Sequence, residues 1–263
     1  MSDFRRVPMG VDPYKPSSAR IYNYMLGGKD YYEADLEYAE QVLRVAPDSK
    51  ALARMSRRFL LQGVEVAVGA GVCQIVDVGA GIPISPSVYE VARKVEPSVR
   101  VVSIDFDPVV HAHATAMLSG AAGNTPMLAD LRQPADMIDR LSSEGLIDFA
   151  QPVAVLIVGV LHFIMDEENP GGILAELRAA MAPGSYLVVT HATSESDSRF
   201  VRQAMSATKG SSAVPALRSR AEIASYLEGL ETLAPGLAPI QDWLDDDLPA
   251  TRVEILGCIC RKS

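Results

Sequence analysis

Around Ala80 the chain has an acid and two glycines whose types and spacing suit a ligand-binding turn. They belong to a short, largely apolar run that contains, in order, Asp77, Gly79, Ala80 and Gly81. Such a run is typical of a buried parallel strand, and glycine lets a ligand approach the backbone closely. A second strand-like segment, 100–104, ends in Asp105. Strand, glycine turn, helix, strand and acid predict the βαβ unit that binds an adenosine-containing cofactor.

The glycine pattern helps to choose among cofactors. A dinucleotide fingerprint, G-x-G-x-x-G/A, needs a small third residue so that the helix packs closely, but Ile84 occupies that position. A P-loop needs a Lys followed by Ser or Thr, which neither glycine has after it. Asp77-x-Gly79-x-Gly81 instead resembles the first motif of class I S-adenosylmethionine (SAM) methyltransferases. SAM has no pyrophosphate and therefore less need of a helix N-terminus. A purely structural glycine turn is the alternative.

The rest of the chain alternates between strand-like and helix-like segments. We expect strands at 73–78, 100–104, 125–128, 153–158 and 186–190, and a final edge or hairpin strand at 253–260. The first helix between them is expected to begin with Ser85 as N-cap and Pro86 at the first helical position. This alternation predicts an α/β fold with a parallel sheet and helices on both faces.

A helical segment is predicted before the first strand. Ser18 is placed to cap a short helix that ends at two glycines, and Asp30 with Glu33 is spaced as a capping box for a second helix. A third helix completes the segment. We therefore divide the chain into a helical N-terminal extension, 1–71, and a cofactor-binding core, 72–263.

Composition excludes several classes of partner. The chain has 263 residues, of which 48% are hydrophobic, so it can bury a large core. The net charge is −9 without a basic run, so we expect neither nucleic acid nor a membrane surface as a partner. The longest apolar run, 153–165, is shorter than the ~20 residues that span a bilayer. Three cysteines, which cannot all pair, favour a reducing cytoplasm. The oligomeric state stays open.

Two C-terminal features are interpreted as loops. The Gly- and Ser-rich stretch 207–215 predicts a loop between helices. An acidic cluster could suggest a cation site, and it consists of Asp242, Asp245, Asp246 and Asp247. Because consecutive carboxylates without a chelating scaffold mostly face water, we expect a solvated turn and no metal.

Four segments together resemble one bacterial family, the SAM-dependent methyltransferases long catalogued only as a domain of unknown function. They are RIYNYMLGGKD at 20–30, DVGAGIP at 77–83, DFDP at 105–108 and ADLR at 129–132. The resemblance spans nearly the whole chain. It implies the Rossmann-like, seven-stranded class I methyltransferase sheet with an antiparallel last strand, and methyl transfer from SAM. It does not supply the acceptor, which we expect to be a small molecule.

The resemblance also implies roles for residues at the ends of the second and third strands. Asp105 is expected to accept hydrogen bonds from both ribose hydroxyls. Asp130 resembles the acid that accepts a bond from the adenine amino group, with Leu131 beneath the ring. Phe106 packs on adenine or on the core, and Asp107 is either a ligand contact or only an N-cap.

Two further groups complete the expected cofactor site. Gly159 and Val160 follow the most central-looking strand and would line the methionine end. On the N-terminal segment, an apolar stripe is expected to dock while the opposite polar or glycine positions cover the cofactor. These positions are Arg20, Asn23, Gly28, Lys29 and Asp30.

A catalytic role is assigned to one residue. His162 lies just beyond Gly159 and is a candidate general base, with a structural hydrogen-bonding role as an equal alternative; His191 is a weaker candidate. Two competing functions remain. One is an NAD-dependent oxidoreductase, which Ile84 disfavours. The other is a SAM- or nucleoside-binding regulatory protein that has no turnover.

Overall fold

The computed structural model describes residues 11–118, 123–196, 215–244, 248–249 and 251–263. Most of the predicted acidic turn (Asp245, Asp246 and Asp247) and positions 207–214 of the predicted loop lie outside them. Three helices come before the first strand: α1 (Ser18–Met25), α2 (Glu33–Val45) and α3 (Ser49–Gly69). No helix in the described part of the chain is long and apolar enough to cross a membrane.

Strands and helices alternate after α3. The strands are β1 (Gln74–Val78), β2 (Arg100–Asp105), β3 (Asn124–Leu128), β4 (Ala154–Ile157), β5 (Tyr186–Ala192), β6 (Glu231–Thr232), β7 (Ala238–Pro239) and β8 (Ile255–Arg261). The helices are α4 (Val88–Val95), α5 (Pro108–Leu118), α6 (Pro134–Ser143), α7 (Pro170–Ala180), α8 (Arg220–Tyr226) and α9 (Ile240–Trp243). Two short 3-10 helices, Leu161–Phe163 and Asp166–Glu168, follow β4.

The strands form one mostly parallel sheet. Their order is β3-β2-β1-β4-β5-β8, and β6 and β7 both pair with the far side of β8. Neighbours among β1 to β5 are parallel, whereas β8 is antiparallel to β5. Because β6 and β7 pair with different parts of β8, they share one edge position. The predicted fold, a seven-stranded, mostly parallel, Rossmann-like sheet with an antiparallel last strand, is confirmed, with eight strands in seven positions.

The last strand is internal, so it is not the edge strand, one of the two alternatives expected at 253–260. As the other alternative, a hairpin strand, requires, it pairs antiparallel with the strand before it, β7. β8 lies between β5 on one side and β6 and β7 on the other. All its residues except Arg261 are buried. An apolar run without polar alternation is typical of a strand that is covered on both faces.

Helices cover both faces of the sheet. Successive side chains along a strand point to opposite faces, so Ile75 and Val188 pack in one core with α3 and α4, and Val76 and Leu187 pack in another with α6 and α7. The site described below lies at the strand ends, above both cores.

Helix α3 belongs to the first core. Phe59 is fully buried and packs edge-on against Trp243, with ring centroids 5.6 Å apart. A Cβ at Gly257 of β8 would stand only 2.8 Å from Phe59 Cζ, so the glycine makes room for the ring. Helices α1 and α2 form a smaller cluster, which includes Tyr38 and reaches α3 at Ala53. The predicted boundary after residue 71 therefore does not separate two cores, since α3 packs with the sheet.

The first helix after the glycine turn begins later than predicted. Ser87, and not Ser85, is the N-cap of α4. Its hydroxyl accepts a hydrogen bond from Glu90 N at 3.2 Å, and the Glu90 carboxylate accepts one from Ser87 N at 2.6 Å. This reciprocal capping box fixes the start of the helix. Residues 82–87 therefore separate Gly81 from α4, and no helix N-terminus adjoins the turn.

The predicted capping box at Asp30 and Glu33 is also wrong. Tyr32 is the N-cap of α2, and its backbone N–H donates to Asp35 Oδ2 at 2.8 Å. The carboxylate comes from the third helical position, as capping geometry requires. Asp30 lies in the preceding loop.

Candidate active site

A cavity of about 640 Å³ lies at the carboxyl ends of β1 to β5, beneath α1, α2 and α3. This volume is typical of sites for small molecules. The strand order reverses between β1 and β4, and ligands of open α/β sheets bind outside the strand ends at such a reversal. Position and size together identify the cavity as the candidate active site.

The glycine turn forms one wall of the cavity. Gly79 and Gly81 have φ values of 69° and 66°, which side chains other than glycine rarely adopt. The backbone N–H groups of Gly79 and Ala80 donate to Ile104 O at 2.8 and 3.0 Å, so the turn is tied to β2. A Cβ at Gly81 would meet no atom within 4 Å. The backbone of the turn is therefore open to a ligand.

Asp105 stands beside this turn at the end of β2. It is 7% exposed, and its two carboxylate oxygens accept hydrogen bonds from Gly81 N and Asp107 N, each at 3.0 Å. Burial raises the pKa of Asp105 to about 6, although these backbone hydrogen bonds act in the opposite direction. Each carboxylate oxygen has a second lone pair, so the side chain can still accept hydrogen bonds from a ligand.

Asp77 is a second buried acid in the cavity wall. Burial raises its pKa to about 7, the Arg57 charge lowers it and the nearby Asp105 raises it. Arg57 on α3 donates to the carbonyl oxygens of Ile84 and Pro86 at 2.6 and 2.8 Å. It therefore holds the loop after the glycine turn and partly balances the acid.

The segments after β2 and β3 contribute an aromatic ring, an acid and an apolar side chain to the cavity lining, namely Phe106, Asp130 and Leu131. Asp130 and the buried Leu131 line the cavity. Arg132 donates to the Asp130 carboxylate through its backbone N at 2.9 Å and its Nη2 at 2.6 Å. Burial opposes ionisation of Asp130, but these bonds outweigh it and lower its pKa. The Arg132 guanidinium also lies 5.2 Å from the centre of the Phe106 ring, which is 54% exposed.

The turn after β4 forms the opposite wall. Gly159 has a φ of 76°, its N–H donates to Thr190 Oγ1 at 2.8 Å, and a Cβ there would meet nothing within 4 Å. Val160 packs against Gly79, where a Cβ would collide with it. This second glycine therefore leaves open backbone opposite the first turn, across the point where the strand order reverses.

His162 lines the cavity just beyond this turn and is 9% exposed. Burial, then His191 and the Arg218 charge, lower the pKa of His162 to about 3. Its Nδ1 is buried and has no hydrogen-bond partner among the described residues. The imidazole is therefore neutral at physiological pH, and when its hydrogen is on Nδ1 the other nitrogen, Nε2, can accept a hydrogen bond or a proton.

A buried arginine holds the segment beneath His162. Arg218 donates to Asp166 Oδ1 at 2.6 Å, to Ile164 O at 2.8 Å and to His191 Nε2 at 2.8 Å. Because arginine only donates, His191 accepts at Nε2 and donates through Nδ1 to Ala192 O at 2.8 Å. Both nitrogens of His191 are thus engaged, and this weaker candidate base is not free to act.

Five predicted cofactor contacts on the N-terminal segment do not line the cavity, namely Arg20, Asn23, Gly28, Lys29 and Asp30. Arg20 is 3% exposed and donates from Nε to Asp35 Oδ2 at 2.6 Å, while its Nη1 lies 3.6 Å from Asp107 Oδ2. A buried charge needs such partners. Arg20 therefore joins α1, α2 and the turn after β2, and Asp107 is also bound by Ser17 Oγ at 2.7 Å.

Asn23 and Gly28 serve the loop that follows α1. Asn23 Oδ1 accepts a hydrogen bond from Asp30 N at 3.1 Å, and a Cβ at Gly28 would collide with the Asn23 side chain. The side of α1 that lines the cavity instead carries Ile21, Tyr22 and Met25. The apolar stripe of α1 docks as predicted, since Ile21 and Met25 pack with α2 and α3. The polar positions do not face the cavity, because Arg20 and Asn23 bind other parts of the protein.

The remaining predicted residues come together in the cavity lining: Asp77, Gly79, Ala80, Gly81, Asp105, Phe106, Asp107, Asp130, Leu131, Gly159, Val160 and His162. Sequence reasoning missed Ser17, Arg57 and Arg218. A signal exists for Arg57, which stands four residues after Ala53 and three before Leu60 on the inward side of α3. No local pattern marks Arg218, whose partners lie far away along the chain.

The lining fits SAM. Five carboxylates and two arginines face the cavity, which gives an acidic site for a cation: Asp77, Asp105, Asp107, Asp130 and Glu168 against Arg57 and Arg132. Asp105 can accept bonds from a ribose diol, and Phe106 with Leu131 offers apolar contact to a purine. The open backbone at Gly81 and Gly159 leaves room for the remaining amino-acid part.

The raised pKa of Asp77 predicts a pH-dependent difference between two proteins. A carboxyl whose pKa is raised by folding contributes stability below its unfolded pKa of about 3.9, and this contribution is lost as the pH rises through about 7. Asp77→Asn mimics the protonated form at every pH. We expect the melting temperature of the variant, minus that of the wild type, to increase between pH 5 and pH 8.

The difference in melting temperature between the two proteins is the informative quantity, because the pH dependence of other groups opposes that of Asp77. The lowered pKa values of His162 and His191 give stability that is lost as the pH falls below 6.5, but both proteins share this effect. The exposed Asp139 provides the matched control as Asp139→Asn. For Asp139→Asn, the melting temperature relative to the wild type should not change with pH. If the value for Asp77→Asn is equally constant, the assignment of a raised pKa to Asp77 is contradicted.

Comparison with known proteins gives the family. A family model described as S-adenosyl methyltransferase matches residues 5–262. The structure of a DUF574 family protein from Streptomyces avermitilis is 31% identical, with a TM-score of 0.90 over 96% of this chain and 99% of that one. A candidate methyltransferase from Thermobifida fusca is also 31% identical, with a TM-score of 0.89 over 98% and 99%.

A more distant structure shares the fold alone. A SAM-dependent methyltransferase from Anabaena variabilis is 14% identical, with a TM-score of 0.52 over 95% of this chain and 97% of that one. No curated protein matches the sequence significantly. Because the family model spans nearly the whole sequence, the chain belongs to the S-adenosyl methyltransferase family and is a class I methyltransferase with SAM as its cofactor.

Proposed function

We propose that the protein transfers the methyl group of SAM to a small-molecule acceptor that lies beside His162. The supporting observation is the order of the cavity lining along the sheet. Asp130 follows β3, Asp105 ends β2, the turn 79–81 follows β1 and Gly159 follows β4. These features match the parts of one extended molecule in the same order. The acid near an exposed ring suits adenine, the buried acid suits ribose, and the two open glycine turns suit the methionine part.

Each part of the proposed cofactor site has a physical task. Asp105 accepts bonds from the ribose hydroxyls, and Asp130 accepts a bond from the adenine amino group while Leu131 and Phe106 contact the ring. The turns 79–81 and 159–160 contact the methionine end through their backbone. Asp77 places a negative charge close to this cationic end.

His162 is the proposed proton acceptor. When bound, SAM supplies an activated methyl group on a sulfonium, whose positive charge disappears on transfer. A proton taken up at His162 Nε2 from the acceptor hydroxyl therefore leaves the net charge of the site unchanged. The low pKa of His162 makes it a weak base, so the protein acts mainly by holding the acceptor in place and excluding water.

The N-terminal helices are proposed to close the site. Ser17, Ile21, Tyr22 and Met25 line the cavity, and the Ser17 bond to Asp107 ties the start of α1 to the turn after β2. We retain the helical extension as this cover, formed by α1 and α2, whereas α3 serves the core. A cytoplasmic location and the absence of a nucleic-acid partner stay predictions from composition.

Neither alternative function is supported by a specific observation. A pyrophosphate needs a helix N-terminus close to the glycine turn, but residues 82–87 intervene before α4. A protein that only binds SAM has no need of a neutral histidine in the cavity wall beyond the cofactor site. We therefore favour methyl transfer over the oxidoreductase and over a regulatory protein that only binds SAM.

The cofactor site is tested by ligand-dependent stability. SAM and S-adenosylhomocysteine should each raise the melting temperature, since a ligand at 100 times its Kd stabilises a fold by ~2.7 kcal/mol. NAD, NADP and ATP should produce no shift. Differential scanning fluorimetry measures this directly. A shift with NAD and none with SAM would overturn the proposed site.

Replacing Asp105 tests the ribose contact. Asp105→Ala removes a charged acceptor of two hydroxyl bonds, each worth roughly 1.5–3 kcal/mol, so SAM affinity should fall at least tenfold by calorimetry. Asp139→Ala, an exposed acid on α6, is the control and should leave the affinity unchanged. Equal affinities for Asp105→Ala and the wild type would show that the ribose binds elsewhere.

Replacing His162 tests the proton acceptor. The assay follows isotopically labelled methyl groups from SAM into the low-molecular-mass fraction of a cell extract. His162→Ala should reduce this incorporation roughly 10²-fold, the lower end of the range for general bases because the pKa of His162 is low. SAM affinity should stay within a few-fold, and His113→Ala on α5 serves as the control. Loss of SAM binding together with turnover would instead identify a cofactor contact.

A further inference from the structure

The cavity extends beyond the part that SAM requires. The proposed cofactor residues follow β3, β2, β1 and β4, but the lining continues to Ala192 at the end of β5 and to Ile255 at the start of β8. Adjacent strands lie ~4.8 Å apart, so the cavity continues over roughly 10 Å of the sheet past β4. We call this part the acceptor chamber.

Helices and strand ends enclose the chamber. Its walls are formed by Tyr22 and Met25 on α1, Ala53 and Leu60 on α3, and Ala192 and Ile255 on the sheet. All of these are buried except Tyr22, which is partly buried. His162 lies between the chamber and the methionine end, because it follows β4.

The two ends of the cavity differ in charge. Every Asp, Glu and Arg among the described lining residues stands at the strand ends β1 to β4 or next to them, as with Arg57 beside Asp77 and Glu168 beside Arg132. Among the described residues, no charged side chain comes from α1, α2 or the β5 and β8 ends. Among the described residues, the charges that reach the chamber wall at Tyr22 are those of Arg57 and Asp77. These two charges partly balance each other, and Arg57 already donates to the carbonyl oxygens of Ile84 and Pro86.

The phenol of Tyr22, a polar group in the chamber wall, is also engaged. Tyr22 Oη donates to Ala53 O at 3.1 Å. Burial, opposed by the Arg57 charge, raises the pKa of Tyr22 to about 12, so the phenol is neutral. Burying an unpaired charge against such walls is strongly unfavourable, whereas burying apolar surface against them is favourable.

We infer that the chamber binds the methyl acceptor and that this acceptor is an uncharged, largely apolar small molecule with one hydroxyl group. The hydroxyl group is the proposed nucleophile because His162 can take its proton, which passes to Nε2 as the O–CH₃ bond forms and the S–CH₃ bond breaks. This inference rests on the proposed function and adds the class of acceptor to it.

Matched probes test the inference on the full-length protein saturated with S-adenosylhomocysteine. The probes are 2-naphthol, 2-naphthoate and 2-naphthylmethylammonium, which share an apolar ring system but are neutral, anionic and cationic. By calorimetry, 2-naphthol should bind at least tenfold more tightly than either ion. Equal or tighter binding of an ion, or no binding of 2-naphthol, overturns the inference.

A pair of substitutions locates the binding. Ala53→Leu should fill part of the chamber and weaken 2-naphthol at least fivefold, while Ala112→Leu on the exposed side of α5 leaves it unchanged. Affinity for S-adenosylhomocysteine should stay within twofold in both, which also verifies folding. If Ala53→Leu fails this check, Ala192→Leu replaces it. Unchanged 2-naphthol binding in a folded chamber variant overturns the location.

The same titrations separate this inference from the proposed function. Failure of S-adenosylhomocysteine to bind the wild type would overturn both. Binding of S-adenosylhomocysteine without the expected preference among the probes would overturn only the class of acceptor. The cofactor site and the proposed methyl transfer would then stand.

Discussion

The site depends on one constraint, the reversal of strand order between β1 and β4. Up to β3 the chain builds the sheet in one direction, and then it returns to the other side of β1. The connections that leave β1 and β4 therefore run to opposite faces, with α4 in one core and α7 in the other. A crevice at their carboxyl ends follows from this topology, and the two glycine turns, at Gly81 and Gly159, form its walls.

The same crevice brings buried acids together. Asp77 and Asp105 end neighbouring strands, and Asp105 must stay near Gly81 because it accepts that residue's N–H. Burial raises the pKa of both carboxyls, so the crevice is an unfavourable place for two negative charges. A cationic ligand relieves this repulsion, which makes the acidity of the wall consistent with a sulfonium cofactor. Arg57 balances only part of it.

Sequence was sufficient where the controlling interactions are local. Strand runs, the glycine turn and the acid after β2 follow periodicity and backbone preference, so the fold and the lining from Asp77 to His162 could be predicted. The pairing of segments that are distant along the chain could not be predicted in this way. The position of β8 between β5 and the edge depends on which strands pair, and Arg218 has its role only because His191 and Asp166 approach it from other segments.

The N-terminal motif shows why a matching motif does not by itself identify ligand contacts. Arg20 and Asn23 are polar, close in sequence to flexible glycines, and therefore suited to a ligand when considered alone. Yet a buried arginine must find a carboxylate, and Asp35 satisfies it at 2.6 Å. Because Arg20 Nη1 also lies 3.6 Å from Asp107 Oδ2, the Arg20–Asp35 pair fixes the helices against the carboxyl ends of the strands. The motif thus acts on the site through its position, and the apolar side of α1 forms the wall.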